Sequence, residues 1–103
     1  MEKKVWSYPI SQIKELVVQG RYVITARALK DAEQDFGLDV DGIIATIMDL
    51  TITDFNKSMT AHCDHTLWQD VYFKQVNKKC GYIKLQISKA DSAVIISFHI
   101  AEK

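Results

Sequence analysis

Four residues in this sequence have chemistry to offer and sit in short segments that alternate like strands: Lys57, Gln69, Tyr82 and His99. A histidine exchanges protons near neutral pH, and a lysine neutralises negative charge that builds on phosphoryl oxygens. Tyrosine and glutamine donate and accept hydrogen bonds that orient a substrate. Brought together, the four make RNA cleavage feasible without a metal. The ribose 2′-hydroxyl attacks the adjacent phosphorus, and the protein supplies position and charge stabilisation. Each residue also has a plainer reading: a lysine snorkelling from a strand edge, an amide satisfying nearby backbone, a tyrosine and histidine paired on a sheet surface.

The run His62-Cys63-Asp64-His65 contains only zinc-ligand residue types. Its spacing is poor for a metal, since the four are contiguous and no C-x-x-C pair exists elsewhere. Asp64 and His65 are therefore expected to fix a turn, and a zinc site at His62, Cys63 and His65 is the lesser alternative. Glycine-rich phosphate loops, G-x-S-x-G and H-E-x-x-H are absent.

Helices come first among the elements that must position these groups. Ser11, Ile13, Leu16 and Val17 followed by Gly20 predict a helix over about residues 10–19. Thr25 is a capping residue for a second helix, with Ala28, Leu29, Ala32 and Phe36 on one face and a stop at Gly37. Asp39 or Asp41 caps a third, whose stripe of Val40, Ile43, Ile44, Ile47 and Met48 makes it the most buried by expectation. Lys3–Tyr8 reads as a loose lead-in.

From Asp54 the period changes to two. Residues 54–61 place Phe55, Lys57, Met59 and Ala61 on one face, and residues 66–73 place Leu67, Gln69, Val71 and Phe73 on one face. Lys57 and Gln69 are thus polar members of apolar rows. Lys74–Lys79 reads as a basic connection. Residues 81–88 and 93–100 then alternate across Lys89–Ser92 and predict an antiparallel hairpin. One register opposes Ile83 to Phe98, Leu85 to Ile96, Ile87 to Val94, and Tyr82 to His99. The expected architecture is α+β: three N-terminal helices packed on a C-terminal antiparallel sheet, in a single domain spanning 1–103.

The 103 residues suffice for one modest core, and 48% hydrophobic with 25% charged residues is ordinary globular composition. Met1–Trp6 is charged with no apolar segment behind it and no run is apolar enough to span a bilayer, so neither signal peptide nor membrane helix is expected and the default location is cytoplasmic. Cys63 and Cys80 are expected to be free, partly buried thiols. The net charge is zero, yet residues 1–56 carry six bases against nine acids and residues 57–103 seven against four. The second half is the part suited to an anionic ligand.

The run D-F-N-K-S-M-T-A-H-C-D-H-T-L-W-Q-D-V-Y at 54–72 closely resembles the centre of the MqsR (motility quorum-sensing regulator) family of type II toxins, mRNA interferases of the RelE-like group. The likeness extends to M-E-K-K at the start, S-Q-I-K-E-L-V at 11–17, G-L-D-V-D-G at 37–42 and V-I-I-S-F near the end, covering almost the whole chain. The resemblance implies a RelE-like fold and a ribosome-independent, metal-independent endoribonuclease without a cofactor that cuts mRNA preferentially at GC-containing sites. It also implies neutralisation by an MqsA-like antitoxin that pairs a zinc-binding domain with a helix-turn-helix domain. Carried over by motif, the catalytic positions fall on Lys57, Gln69 and Tyr82, and the fourth, a lysine directly after S-F in the family, is His99 here. RNA contacts are expected from Trp68, Lys74 and Lys84, with Lys74 standing in for a basic residue the family often has after W-Q-D-V-Y. Because histidine is mostly neutral at pH 7 and lysine is not, the departure at His99 leaves a second reading open: a catalytically weakened module that binds RNA or antitoxin.

Overall fold

The computed structural model describes residues 1–101. In chain order the elements are β1 (Glu2–Lys3), α1 (Ile10–Val18), β2 (Tyr22–Ile24), α2 (Ala26–Phe36), α3 (Val40–Met48), a 3-10 turn (Ile52–Asp54), β3 (Phe55–Ala61), β4 (Asp64–Val76), β5 (Lys79–Ile87) and β6 (Ala93–Ile100). Three helices and a sheet make the fold α+β, as the change of period predicts.

The helix boundaries follow their capping residues. Thr25 Oγ1 accepts the Ala28 N–H at 3.1 Å and donates to the Ile96 carbonyl at 3.0 Å, so one hydroxyl both starts α2 and ties it to β6. Asp39 Oδ1 accepts the Gly42 N–H at 2.9 Å and starts α3. Gly37 closes α2 at φ 70°, a left-handed position that a side chain would strain.

The sheet has six strands in the order β1-β3-β4-β5-β6-β2, and it is mixed rather than antiparallel. The correction comes from β2, which pairs parallel to β6 with Val23 opposite Val94. Three residues between two helices are too few to display a period of two. The expected loose lead-in is also ordered: Glu2 pairs with Met59 and Lys3 with Ser58 at the other edge. The expected basic connection at Lys74–Lys79 is mostly strand. Only Asn77 and Lys78 turn, at φ 48° and 69°, the two left-handed positions of a tight hairpin. Asn77 Nδ2 donates to the Phe36 carbonyl at 2.8 Å and so anchors that turn to the end of α2.

Two bulges reassign faces. Phe55 opposes Tyr72 but Lys57 opposes Val71, so Asn56 is an extra residue and Phe55 turns away from Lys57's face. In the β5–β6 hairpin Tyr82 opposes His99 and Ile83 opposes Phe98, as the alternation predicts. Between Lys84 and Leu85 the register slips, so Leu85 meets Ile95 and Ile87 meets Ala93 instead of Ile96 and Val94. The slip carries Ile95, fully buried, into the core.

One cluster of buried side chains joins helices to strands: Ile13 and Leu16 from α1, Ala28, Ala32 and Phe36 from α2, Ile43 and Ile47 from α3, and Tyr72, Ile83, Leu85, Ile95 and Phe98 from the sheet. Phe36 meets Phe98 edge to face at 5.6 Å. The expected stripes were too wide, since Leu29, Val40 and Met48 are exposed and α3 buries only Ile43 and Ile47 completely. Both cysteines are free and exposed, not partly buried.

Candidate active site

Cross-strand pairing defines the sheet face opposite the core. Lys57 opposes Val71, Val71 opposes Lys84, and Lys84 opposes Ser97. In the adjacent row Phe73 opposes Tyr82 and Tyr82 opposes His99, while Met59 opposes Gln69 on the far side. All four predicted catalytic residues and Lys84 therefore share one face, held by four strands. Lys57 belongs there because that face is the open one. The buried row of β3 is the polar pair Ser58 and Thr60, which reverses the expected polarity of the strand.

The centre is roofed rather than flat. Val71 is fully buried beneath these side chains, and Lys57 keeps only 26% of its side chain exposed. The His99 ring stacks on Tyr82 at 4.8 Å between centroids with planes 11° apart. On the other side of Tyr82, Phe73 lies at 5.9 Å. Tyr82 Oη reaches the Met59 sulfur at 3.8 Å, and Lys84 Nζ lies 5.8 Å from the Tyr82 ring centroid.

Burial pushes the Tyr82 hydroxyl above its ordinary value; the Lys57 charge opposes that shift and the Glu2 carboxylate adds to it. Tyr82 thus enters neutral solution as a protonated donor. Burial, and then the charge of Lys57, holds the Lys84 ammonium below its ordinary value.

His99 Nδ1 lies 2.8 Å from the Ile100 carbonyl. A carbonyl only accepts, so Nδ1 is the donor and Nε2 is the ring nitrogen left to exchange a proton. The ring borders a groove of about 550 Å³ shared with Arg27, Asp31, Asp35 and Ile100. Gln69 is nearly buried and donates from Nε2 to Gln86 Oε1 at 2.8 Å, a side-chain pair rather than the backbone contact of its plainer reading.

Two expected RNA contacts stand on the core face instead. Trp68 opposes Thr60, two residues from Asp70 in unbroken alternation, and Lys3 Nζ sits 4.1 Å over its ring. Lys74 pairs with Asp49 at 3.4 Å and Asp54 at 3.8 Å beside a groove under α3. Alternation along β4 requires this, because Lys74 directly follows Phe73 and so points to the opposite face. The His62–His65 run is exposed: His62 and Cys63 form the turn, Asp64 and His65 open β4, and Asp64 Oδ1 accepts the Thr66 N–H at 2.9 Å just after the turn.

Sequence reading assigned Phe73, Gln86 and Glu2 no role at this site. Phe73 and Gln86 were within reach of the strand alternation once β4 and β5 are paired. Glu2 Oε2, 2.9 Å from Lys57 Nζ, had no local signal because β1 is two residues long.

Chemically the face offers ammonium groups, a phenol donor, a basic imidazole nitrogen and an exposed aromatic edge. Such a set fits an anionic, base-bearing polymer. Comparison with known proteins agrees. A family model described as "Motility quorum-sensing regulator, toxin of MqsA" matches residues 6–100. The chain is also 41% identical over 98 residues, covering 95% of this chain and 97% of the relative, to the mRNA interferase toxin MqsR of Escherichia coli strain K12.

Proposed function

The chain belongs to the motility quorum-sensing regulator toxin family, and from that membership we propose that it is a type II toxin, an mRNA interferase that cleaves messenger RNA and so inhibits translation and growth. The observation that carries the reading is the convergence of Lys57, Tyr82 and His99 on one sheet face.

The proposed reaction uses these side chains and no metal. RNA lies across the open face with a phosphodiester against Lys57 and Lys84 and a base against Phe73. The substrate 2′-oxygen forms a bond to phosphorus as the bond from phosphorus to the 5′-oxygen breaks. His99 Nε2 takes the 2′-hydroxyl proton, Tyr82 donates toward the phosphoryl oxygens, and water or the charged imidazole returns a proton to the leaving oxygen. Gln69, fixed by Gln86, orients the substrate. Trp68 and Lys74, engaged on the core face, stand outside this path.

The partner is an MqsA-like antitoxin carrying a zinc-binding and a helix-turn-helix domain. Its pairing is supported by the description of the matching family. The helices laid against the sheet form a RelE-like, single-domain toxin, and the place of action is the cytoplasm; no helix among the described residues is long and apolar enough to cross a membrane.

Purified protein incubated with RNA in EDTA tests the proposal: cleavage leaving 2′,3′-cyclic phosphate ends is expected. Loss of cleavage in chelator defeats the metal-free chemistry. Binding without cleavage under any condition supports the second reading, a weakened binding module, which the exchange of the family lysine for His99 favours.

A further inference from the structure

Glu2 reaches the open face from the edge of the sheet. It opposes Met59 in the β1–β3 pair, which puts its side chain on the face of Lys57 and diagonal to it. The Lys57 ammonium donates to Glu2 Oε2 at 2.9 Å.

Two residues of strand would not hold this place alone, and the restraint comes from the other face. Asp70, fully buried in β4, accepts the Ser7 N–H at its two oxygens at 3.0 and 2.9 Å and the Tyr8 N–H at 2.9 Å. The Ser7 and Ser58 hydroxyls are 2.8 Å apart, and the Tyr8 hydroxyl donates to the Trp68 carbonyl at 2.7 Å. The Thr60 N–H donates to the Met1 carbonyl at 2.9 Å. A buried carboxylate is thus committed to the backbone of residues 7 and 8, and the Met1 carbonyl is tied to β3, so the backbone that carries Glu2 is held at the sheet edge while its carboxylate, 55% exposed, meets Lys57.

Lys57 needs such a partner. Lys57 and Lys84 stand on either side of Val71 in one row, so two ammonium groups face each other across a single strand. A flexible side chain in that position relieves the repulsion by swinging into solvent. The hydrogen bond to Glu2 uses one of three ammonium donors and leaves two for a phosphate.

We propose that Glu2 is a positioning residue, whose carboxylate holds the Lys57 ammonium over the open face where the scissile phosphate binds. The assignment rests on the reading of Lys57 as the phosphate-holding group. It makes a prediction opposite to simple electrostatics, because removing a negative charge next to an RNA site ordinarily tightens binding.

The test measures anisotropy of a labelled RNA oligonucleotide methylated at its 2′-oxygens, which cannot be cleaved, with wild type, Glu2→Ala, Lys57→Ala and the double variant. Glu2→Ala is expected to weaken binding by about 3- to 10-fold, a usual coupling between contacting residues, and to have no further effect once Lys57 is absent. Glu2→Gln, which keeps an acceptor oxygen, falls between. Tighter binding by Glu2→Ala overturns the inference, since the carboxylate would then be competing with phosphate. An equal loss in the Lys57→Ala background also overturns it. If Lys57→Ala is impaired and Glu2→Ala is not, only Glu2's role fails. If Lys57→Ala itself binds and cleaves as wild type does, the role of Lys57 fails and takes this inference with it.

Discussion

The imidazole of His99 lies nearly flat on the phenol ring of Tyr82, 4.8 Å between centroids, with Nδ1 held by the Ile100 carbonyl. Stacking and hydrogen bond together leave the ring one orientation, so Tyr82 has two separable duties: a hydroxyl and a platform. We predict that Tyr82→Ala lowers single-turnover RNA cleavage by about as much as His99→Ala, on the order of 100-fold for loss of a proton-transfer group. Tyr82→Phe keeps the platform and is expected to lose distinctly less. Equal losses for Phe and Ala would show that the hydroxyl alone matters.

His99 stands where the family resemblance puts lysine, so His99→Lys exchanges a titrating group for a fixed charge. Cleavage at neutral pH is expected to survive, and any inflection of the wild-type rate profile that arises from proton transfer at position 99 is expected to disappear. Persistence of that inflection in the lysine variant would assign it to another group.

Lys57 and Lys74 are both ion-paired lysines that stand on opposite faces of the sheet, which makes them a useful comparison. Lys57→Ala is predicted to weaken RNA binding and to lower the slope of log affinity against log salt by about 1, the signature of one lost phosphate contact. Lys74 is paired with Asp49 and Asp54 on the core face, so Lys74→Ala should leave both quantities unchanged. Salt titrations of both variants check this, and a matching drop for Lys74 would mean RNA wraps around the sheet edge.

The helix ends and the pairing of Tyr82 with His99 were legible in the sequence because they depend on local rules: a capping Thr25, a left-handed Gly37, alternation across a short loop. Face assignment in β3 failed at Phe55 because a bulge at Asn56 has no residue signature, and the same happened at Ile95 in β6. β1 and β2 were invisible for a different reason. Their pairing is decided by partners distant in sequence, Ser58 and Val94, not by their own two or three residues. Of the site, the side chains were readable from motif and alternation, but the separation of Lys57 and Lys84 from Trp68 and Lys74 required the strand register.

Asp70 accepts its three contacts from the backbone of Ser7 and Tyr8 while fully buried. Asp70→Ala leaves those donors unpaired inside the protein, and hydrogen bonds to a charged group are the stronger kind. Urea unfolding is predicted to show a loss of about 2–4 kcal/mol. Because these contacts anchor the segment that follows β1, RNA affinity of the folded variant should fall toward that of Glu2→Ala. A stability change within about 0.5 kcal/mol, the range of ordinary surface substitutions, would refute this role for Asp70.

Tyr72 is fully buried, packs edge to face on Phe55 at 5.7 Å, and has a hydroxyl with no hydrogen-bond partner among the described residues. Burial first, then the carboxylates of Asp70 and Asp54, push that hydroxyl from 10.0 up to about 12. Between those values the unfolded chain releases the proton and the folded protein keeps it. The unfolded state then binds fewer protons, so stability falls as pH rises. The contribution is whole below pH 10 and is lost on passing about 12. Tyr72→Phe retains the ring contact and removes both the orphan hydroxyl and this ionisation. At neutral pH we predict it to be as stable as wild type or more so, by up to about 1–2 kcal/mol, since an unmet buried hydroxyl is itself costly. Above pH 10 the gap between variant and wild type should widen, by at most about 1.4 kcal/mol per pH unit. Denaturant unfolding of both proteins at neutral and alkaline pH measures that gap, and a constant difference would mean that Tyr72 ionises no later in the folded protein than in the unfolded chain.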